Sequence, residues 1–288
     1  MNSSENFNTR EDFLNTLDDL QKIEQNSDTA GFQKFIDSDI NVDEVEKFEF
    51  KTIEAIVAFV DILGTSALMK SLSDDNAEEI INKITGIKEI FKNHFATLGK
   101  DFESSNLMII SDSYVISIEK KADAFEALLK MLASCQYECL VRYGEALRGG
   151  ISAGVIIGGH KDRSAIIGPA FINAHELEEK NVIYPRIVID ETILNDTVFF
   201  TDNLPIISDK DGLMYLDFAT TENFDIETMC AKIQEGCQKL LETPKNPNNL
   251  KARQKWNWLH TFGEQKKRKC LNCCKEQKQH YAGEHYGF

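Results

Sequence analysis

The chain has 288 residues, 42% hydrophobic and 27% charged, the balance of a folded globular protein rather than a disordered or membrane-embedded one. Its 47 acidic and 32 basic residues leave a net charge of −15, which excludes the basic footprint of a nonspecific DNA or RNA binder but not a nucleotide substrate whose charge a divalent ion offsets. No apolar run reaches the roughly 18 residues of a membrane helix, and the acidic start MNSSENFNTR lacks the basic-then-apolar order of a signal peptide, so a cytoplasmic protein with no membrane partner is expected.

Residues 1–47 are acidic and polar, with weak helical periodicity at Phe13, Leu17, Leu20 and Ile23, and read as a helical extension. The compact part, 48–220, opens on Glu54 to Leu63, a nearly continuous apolar run closed by Gly64 that reads as a buried strand. Thr65 or Ser66 is placed to cap a helix running to about Leu98, with Ile80, Ile84, Ile87 and Phe91 at helical spacing. A hairpin follows, Leu107–Ile110 and Tyr114–Ile118 around Ser111-Asp112-Ser113. Ala122–Tyr143 reads as a second amphipathic helix, and Leu147–Ile157 as a glycine-rich strand whose backbone is closely approached.

After a polar loop at 158–164, Pro169 sits at the first turn of a helix to about Glu179. Arg186–Ile189 and Leu213–Phe218 read as strands. Residues 221–288 form a C-terminal helical region, with helices at 223–242 and 248–268, and a basic tail. The order strand, helix, strand, strand, helix, strand predicts an α+β fold built on the ferredoxin-like βαββαβ unit, as one domain with additions at both ends.

Seven cysteines without an export signal argue against a disulfide framework. Cys270, Cys273 and Cys274 form CxxCC among lysines, but the second CxxC or fixed histidine spacing of a zinc site is missing, so a flexible basic tail is the expectation.

Asp61 closes the first apolar strand and Asp112 sits in the hairpin turn. In a βαββαβ sheet the first strand and this hairpin are expected to be adjacent and central, which brings the two carboxylates within metal-bridging range. Two carboxylates with a backbone carbonyl suit Mg²⁺ or Mn²⁺, and a pair of such ions can activate a hydroxyl and clamp a transferring phosphoryl group. Gly64-Thr65-Ser66, at a strand-to-helix junction, turns free backbone N–H groups toward an anion. The competing reading of both residues is two ordinary strand-end aspartates.

Phe59-Val60-Asp61-Ile62-Leu63-Gly64 resembles the F-x-D-I-x-G signature of class III nucleotidyl cyclase catalytic domains. Ile110-Ser111-Asp112-Ser113 is similar to their second metal-binding hairpin, Leu147 to Gly154 to the glycine-rich strand, and Ile167-Gly168-Pro169-Ala170 to the start of their next helix. The resemblance covers roughly residues 50–200. It implies that Asp61 and Asp112 are catalytic and ligate two Mn²⁺ or Mg²⁺ ions, with the Ile62 carbonyl as a further ligand. It also implies a nucleotide site drawing on Phe59, Leu63, Gly64, Thr65 and Arg148, the amides of Leu63, Gly64 and Thr65 facing the phosphates. The implied reaction is attack of the ribose 3′-hydroxyl on the α-phosphate with release of pyrophosphate. Sites in this family form between two catalytic domains, so a homodimer is implied.

The usual base-selecting positions hold Met108 and Ala165, neither of which can hydrogen-bond a purine edge. Where the family carries an Asn and an Arg on the following helix, this chain has Ile172 and Glu176, with Asn173 and His175 out of register. Arg148, Lys161, Arg163 and Arg186 are candidates for the missing charge. The RGGI strand, the GPA helix start ending in Leu177-Glu178, the YPRIV segment from Tyr184 to Val188 and Trp256-Asn257-Trp258-Leu259-His260 together resemble the pyrimidine cyclases of bacterial Pycsar antiphage systems. That resemblance implies UTP or CTP as substrate and a diffusible cyclic nucleotide that activates a separate effector. A divergent adenylyl cyclase and a catalytically inactive nucleotide-binding module are the alternatives.

Overall fold

The computed structural model describes residues 51–102, 104–158, 166–196, 199, 204–222, 224–242 and 247–284. The expected N-terminal extension, and Lys161, Arg163 and Ala165, lie outside them. Strand β1 (Lys51–Ile62) is followed by a short helix α1 (Thr65–Lys70), a long helix α2 (Ala77–Asp101) and the hairpin β2 (Asn106–Ile110) and β3 (Ser113–Glu119). Then come α3 (Ala122–Tyr143), β4 (Leu147–Gly158), α4 (Pro169–Asn181), β5 (Ile187–Ile189) and α5 (Glu191–Leu194). Strands β6 (Ile206–Ser208) and β7 (Met214–Leu216), a 3₁₀ turn (Phe218–Thr220) and helices α6 (Ile226–Glu242) and α7 (Pro247–Glu284) complete the described residues.

The seven strands form one mixed sheet in the order β2-β3-β1-β4-β5-β7-β6. Its first four strands are antiparallel throughout, which is the ferredoxin-like arrangement, and β5 joins parallel to β4. The α+β fold expected from the element order is therefore present. One detail differs: β3 is adjacent to β1, but β2 is the edge strand and not central.

Because β1 is flanked on both sides and covered on both faces from Ala55 to Val60, that stretch has no solvated face and reads as a continuous apolar run. Alternation sends Ile56, Ala58, Val60 and Ile62 into a large core with α2 and α3. It sends Ala55, Val57 and Phe59 into a smaller core beneath α4. Helix α4 comes down close on the sheet because β4 carries glycine there: a Cβ at Gly150 would lie 2.4 Å from the Ala174 carbonyl oxygen.

The single helix expected from Thr65 to Leu98 is two helices. Asn76 ends the first segment's exit loop by accepting from the Ser73 N–H at 2.8 Å and donating to the Ser71 carbonyl at 2.8 Å. These local bonds compete with helix continuation, as Ser and Asn side chains do. Thr65 is not a cap either: it is the first helical residue, and its hydroxyl donates back to the Ile62 carbonyl at 3.0 Å. The C-terminal tail is also corrected, since the backbone of α7 is helical to Glu284 and spans Cys270, Cys273 and Cys274.

The β2–β3 hairpin turns on two residues, Ile110 facing Ser113 in register. Ser111 there has φ +56°, the left-handed region that costs a side-chain-bearing residue about 1–2 kcal/mol. Ser111→Gly should therefore stabilise the fold by about 0.5 kcal/mol, after allowing for the greater freedom of glycine in the unfolded chain. Thermal unfolding should show a rise of about 1–2 °C.

Candidate active site

Asp61 lies one residue before the end of β1 and faces the α4 side of the sheet, like Phe59 and Val57. In register it stands between Ser113 of β3 and Arg148 of β4. Both neighbours donate to it: Ser113 Oγ reaches Oδ1 at 3.4 Å and Arg148 Nη2 reaches Oδ2 at 3.2 Å. The Arg148 guanidinium is shared, its Nε lying 2.6 Å from Oε1 of the buried Glu178 on α4.

The Asp61 carboxyl is held above the ordinary carboxylate range, first by burial and then by the negative charge of Asp112, against the opposing pull of Arg148 and Ser113. Glu178 is likewise pushed up by burial, with Arg148 working against it. Asp112 opens onto a cleft of about 370 Å³ shared with Thr65, Met69, Lys70 and Ser111. Gly64, with φ +94°, makes the sharp exit from β1 that carries the chain into α1 beside this cleft.

Asp61 and Asp112 thus come close enough to repel each other, and a cation between them would relieve that repulsion. No group of three metal-ligating His, Cys, Asp or Glu side chains occurs among the described residues. The donor set still fits Mg²⁺ or Mn²⁺, which are held by one or two carboxylates and complete their shell with water and substrate phosphate oxygens.

The other expected site residues fare differently. The Leu63 amide is not free to face a phosphate, because it donates to the Ala146 carbonyl at 2.9 Å. The Thr65 N–H, in the first turn of α1, has no intrahelical acceptor. The Ile62 carbonyl already accepts the Thr65 hydroxyl and retains a second lone pair. Phe59 is buried, its ring edge-on to His175 with centroids 4.7 Å apart.

Arg186 cannot supply the missing charge. It is 1% exposed and caged by Asp209, with Nη1–Oδ2 at 2.5 Å, and by both carboxylate oxygens of Asp211. The rings of Tyr184 and Tyr215 flank it at 5.4 and 5.7 Å, and the Trp258 indole N–H donates to Asp209 at 2.8 Å. Ile172 is exposed, and Glu176, also exposed, pairs with Lys180 at 2.9 Å. Met108 is half-buried against the core beneath α4.

Three contributors were not singled out as site residues from the sequence. Glu178 falls on the buried stripe Ala170, Ala174, Glu178 of α4, and a carboxylate continuing an apolar stripe is a legible signal because such residues are rarely buried unpaired. Lys255 precedes Trp258, Leu259 and Phe262 by three, four and seven positions and so shares their inward face on α7. Lys70 carries no such signal.

No protein-family model matches the chain, and no curated protein matches it. Solved structures do. A bacterial light-regulated adenylyl cyclase is similar at 17% identity and TM-score 0.46, over 81% of this chain and 71% of that one. An adenylyl cyclase from P. aeruginosa is similar at 17% identity and TM-score 0.43, over 58% of this chain and 95% of that one. The guanylyl cyclase domain of the RhoGC fusion protein from the aquatic fungus Blastocladiella emersonii is similar at 13% identity and TM-score 0.42, over 58% and 97%.

Proposed function

We propose that this chain is a metal-dependent nucleotidyl cyclase that converts a pyrimidine nucleoside triphosphate, UTP ahead of CTP, to the 3′,5′-cyclic nucleotide and pyrophosphate. The observation that carries the reading is the placement of Asp61 at the end of β1, in register with Ser113, so that Asp112 in the adjoining hairpin turn is its neighbour and opens onto a cleft. Asp61 and Asp112 would hold the ions. When bound, these supply Lewis-acid chemistry, lowering the pKa of the 3′-hydroxyl and neutralising charge on the phosphates.

The chain's own contribution is positioning. The Gly64 turn and the Thr65 amide border the cleft on one side, and Lys70 offers an ammonium to the leaving phosphates on the other. Arg148 is the cation nearest Asp61 and takes the place of the family's transition-state arginine. Met108 presents no donor or acceptor to a base edge, which supports a substrate other than a purine read in the usual way. A homodimer follows from the same reading, and exposed Ile167 and Ile172 at the start of α4 give a second copy apolar surface to cover. The cyclic product would act as a diffusible antiphage messenger on a separate effector.

A second reading is favoured by Ile172 and Glu176: a cyclase-like module that binds nucleotide without turning it over. Incubating the purified protein separately with ATP, GTP, CTP and UTP, each with Mn²⁺ and with Mg²⁺, decides between them. A cyclic pyrimidine from one triphosphate is the expected result. A cyclic purine would overturn the base assignment, and no product under any condition would favour the binding module.

A further inference from the structure

Arg148 stands between two carboxylates, Asp61 at 3.2 Å and Glu178 at 2.6 Å. With the Ser113 hydroxyl on the other oxygen, both oxygens of Asp61 are engaged by donors from this chain. A divalent ion and the Arg148 guanidinium therefore compete for Asp61 Oδ2. Glu178 is almost fully buried on a helix drawn tight against β4, so in the closed fold it holds its place and the longer arginine side chain is the part able to move. A second cation stands ready. Lys255, half-buried on the inward face of α7, lies within electrostatic reach of Arg148, Asp61 and Glu178. Helix α7 is fixed one turn further on, where Trp258 stacks on Tyr184 and donates to Asp209. In the metal-free site Arg148 and Lys255 thus stand against Asp61 and Glu178, with Asp112 adding a third negative charge toward Asp61, so a divalent ion is attracted but finds Asp61 Oδ2 already held by the guanidinium.

Resting on the reading above, we propose that Arg148 is an exchangeable internal cation: it neutralises Asp61 in the empty site and passes to the polyphosphate chain of the incoming triphosphate, Lys255 then compensating Glu178. A divalent ion reaches Asp61 fully only when the phosphates draw the guanidinium away. Metal and triphosphate consequently bind with positive coupling, each favouring the other. Glu178 and Lys255 are positioning residues in this scheme, acting through charge on Arg148, which itself reaches the phosphates.

The test uses the full chain and two probes, Mn²⁺ alone, followed by its paramagnetic resonance, and metal-free inorganic tripolyphosphate, followed by titration calorimetry. Arg148→Met is expected to bind Mn²⁺ alone at least tenfold more tightly than the parent protein and tripolyphosphate at least tenfold more weakly. Lys255→Met should weaken tripolyphosphate binding and leave Mn²⁺ binding within twofold, a pattern that loss of packing does not produce. Asp61→Asn is the reference: it should remove Mn²⁺ binding. If Asp61→Asn has no effect on Mn²⁺, the metal reading and the exchange fall together. If Asp61→Asn removes Mn²⁺ but Arg148→Met binds it no more tightly, only the exchange is overturned.

Discussion

Asp61→Asn is expected to abolish cyclic nucleotide formation while leaving the chain folded and more heat-stable than the parent at neutral pH. The loss should be about a thousandfold or more, because charge stabilisation by a held ion amounts to several kcal/mol of barrier. The gain in stability has a separate origin. Burial, and then the charge of Asp112, raise the Asp61 carboxyl above its unfolded value. A raised acid binds its proton more tightly in the folded state, so its contribution to stability is full below the unfolded value near 3.8 and is lost as pH rises through the folded value. The parent protein at pH 7 has lost that contribution, and asparagine removes the titration. The melting-temperature advantage of Asp61→Asn should thus be larger at pH 7 than at pH 4. Full turnover in the variant would sink the two-carboxylate assignment, and an equal advantage at both pH values would sink the electrostatic one.

Arg186→Met is expected to produce the largest loss of stability, about 3–5 kcal/mol, without touching the candidate site. Its guanidinium is fully buried and holds together pieces distant in sequence: Asp209 and Asp211 from the β6–β7 turn, and through Asp209 the Trp258 indole of α7. Removing the buried guanidinium leaves the partly buried Asp209, and the Trp258 indole that donates to it, without their cation, while the exposed Asp211 returns to water. The flanking tyrosine rings add a cation–π component. A fall in melting temperature on the order of 10 °C and a red-shifted tryptophan emission are the readouts. A change of only a degree or two would mean that α7 is held mainly by Leu259 and Phe262 in the core.

Much of this architecture is legible in the sequence, for identifiable reasons. Ala122–Tyr143 was read to the residue because nearly every inward position is apolar and Gly144, in the left-handed conformation, stops it. The break between α1 and α2 was missed although Ser71-Leu72-Ser73-Asp74-Asp75-Asn76 carries turn residues, because the isoleucine periodicity beyond it is strong. Strand β6 and helix α5 are three and four residues long, too short for any period to show. At the site, the aspartates stood out as charges ending or interrupting apolar runs. The cage around Arg186 could not, since its carboxylates arrive 23 and 25 residues later through a hairpin whose register only the sheet sets. The engagement of the Leu63 amide by Ala146 is a tertiary fact of the same kind.

The unequal cores on the two faces of the sheet have a consequence for how the molecule breathes. On one face α2 and α3 seal a deep apolar layer, so its amides can exchange with solvent only by near-complete unfolding. On the other, among the described residues, α4 covers a thin cluster around Phe59, Ala170 and Ala174, and releasing it forfeits far less buried surface. Glu178 travels with that helix and Arg148 stays on the strand. Partial opening of the molecule by release of α4 therefore parts these two charged groups, while the sheet that carries Asp61 stays intact.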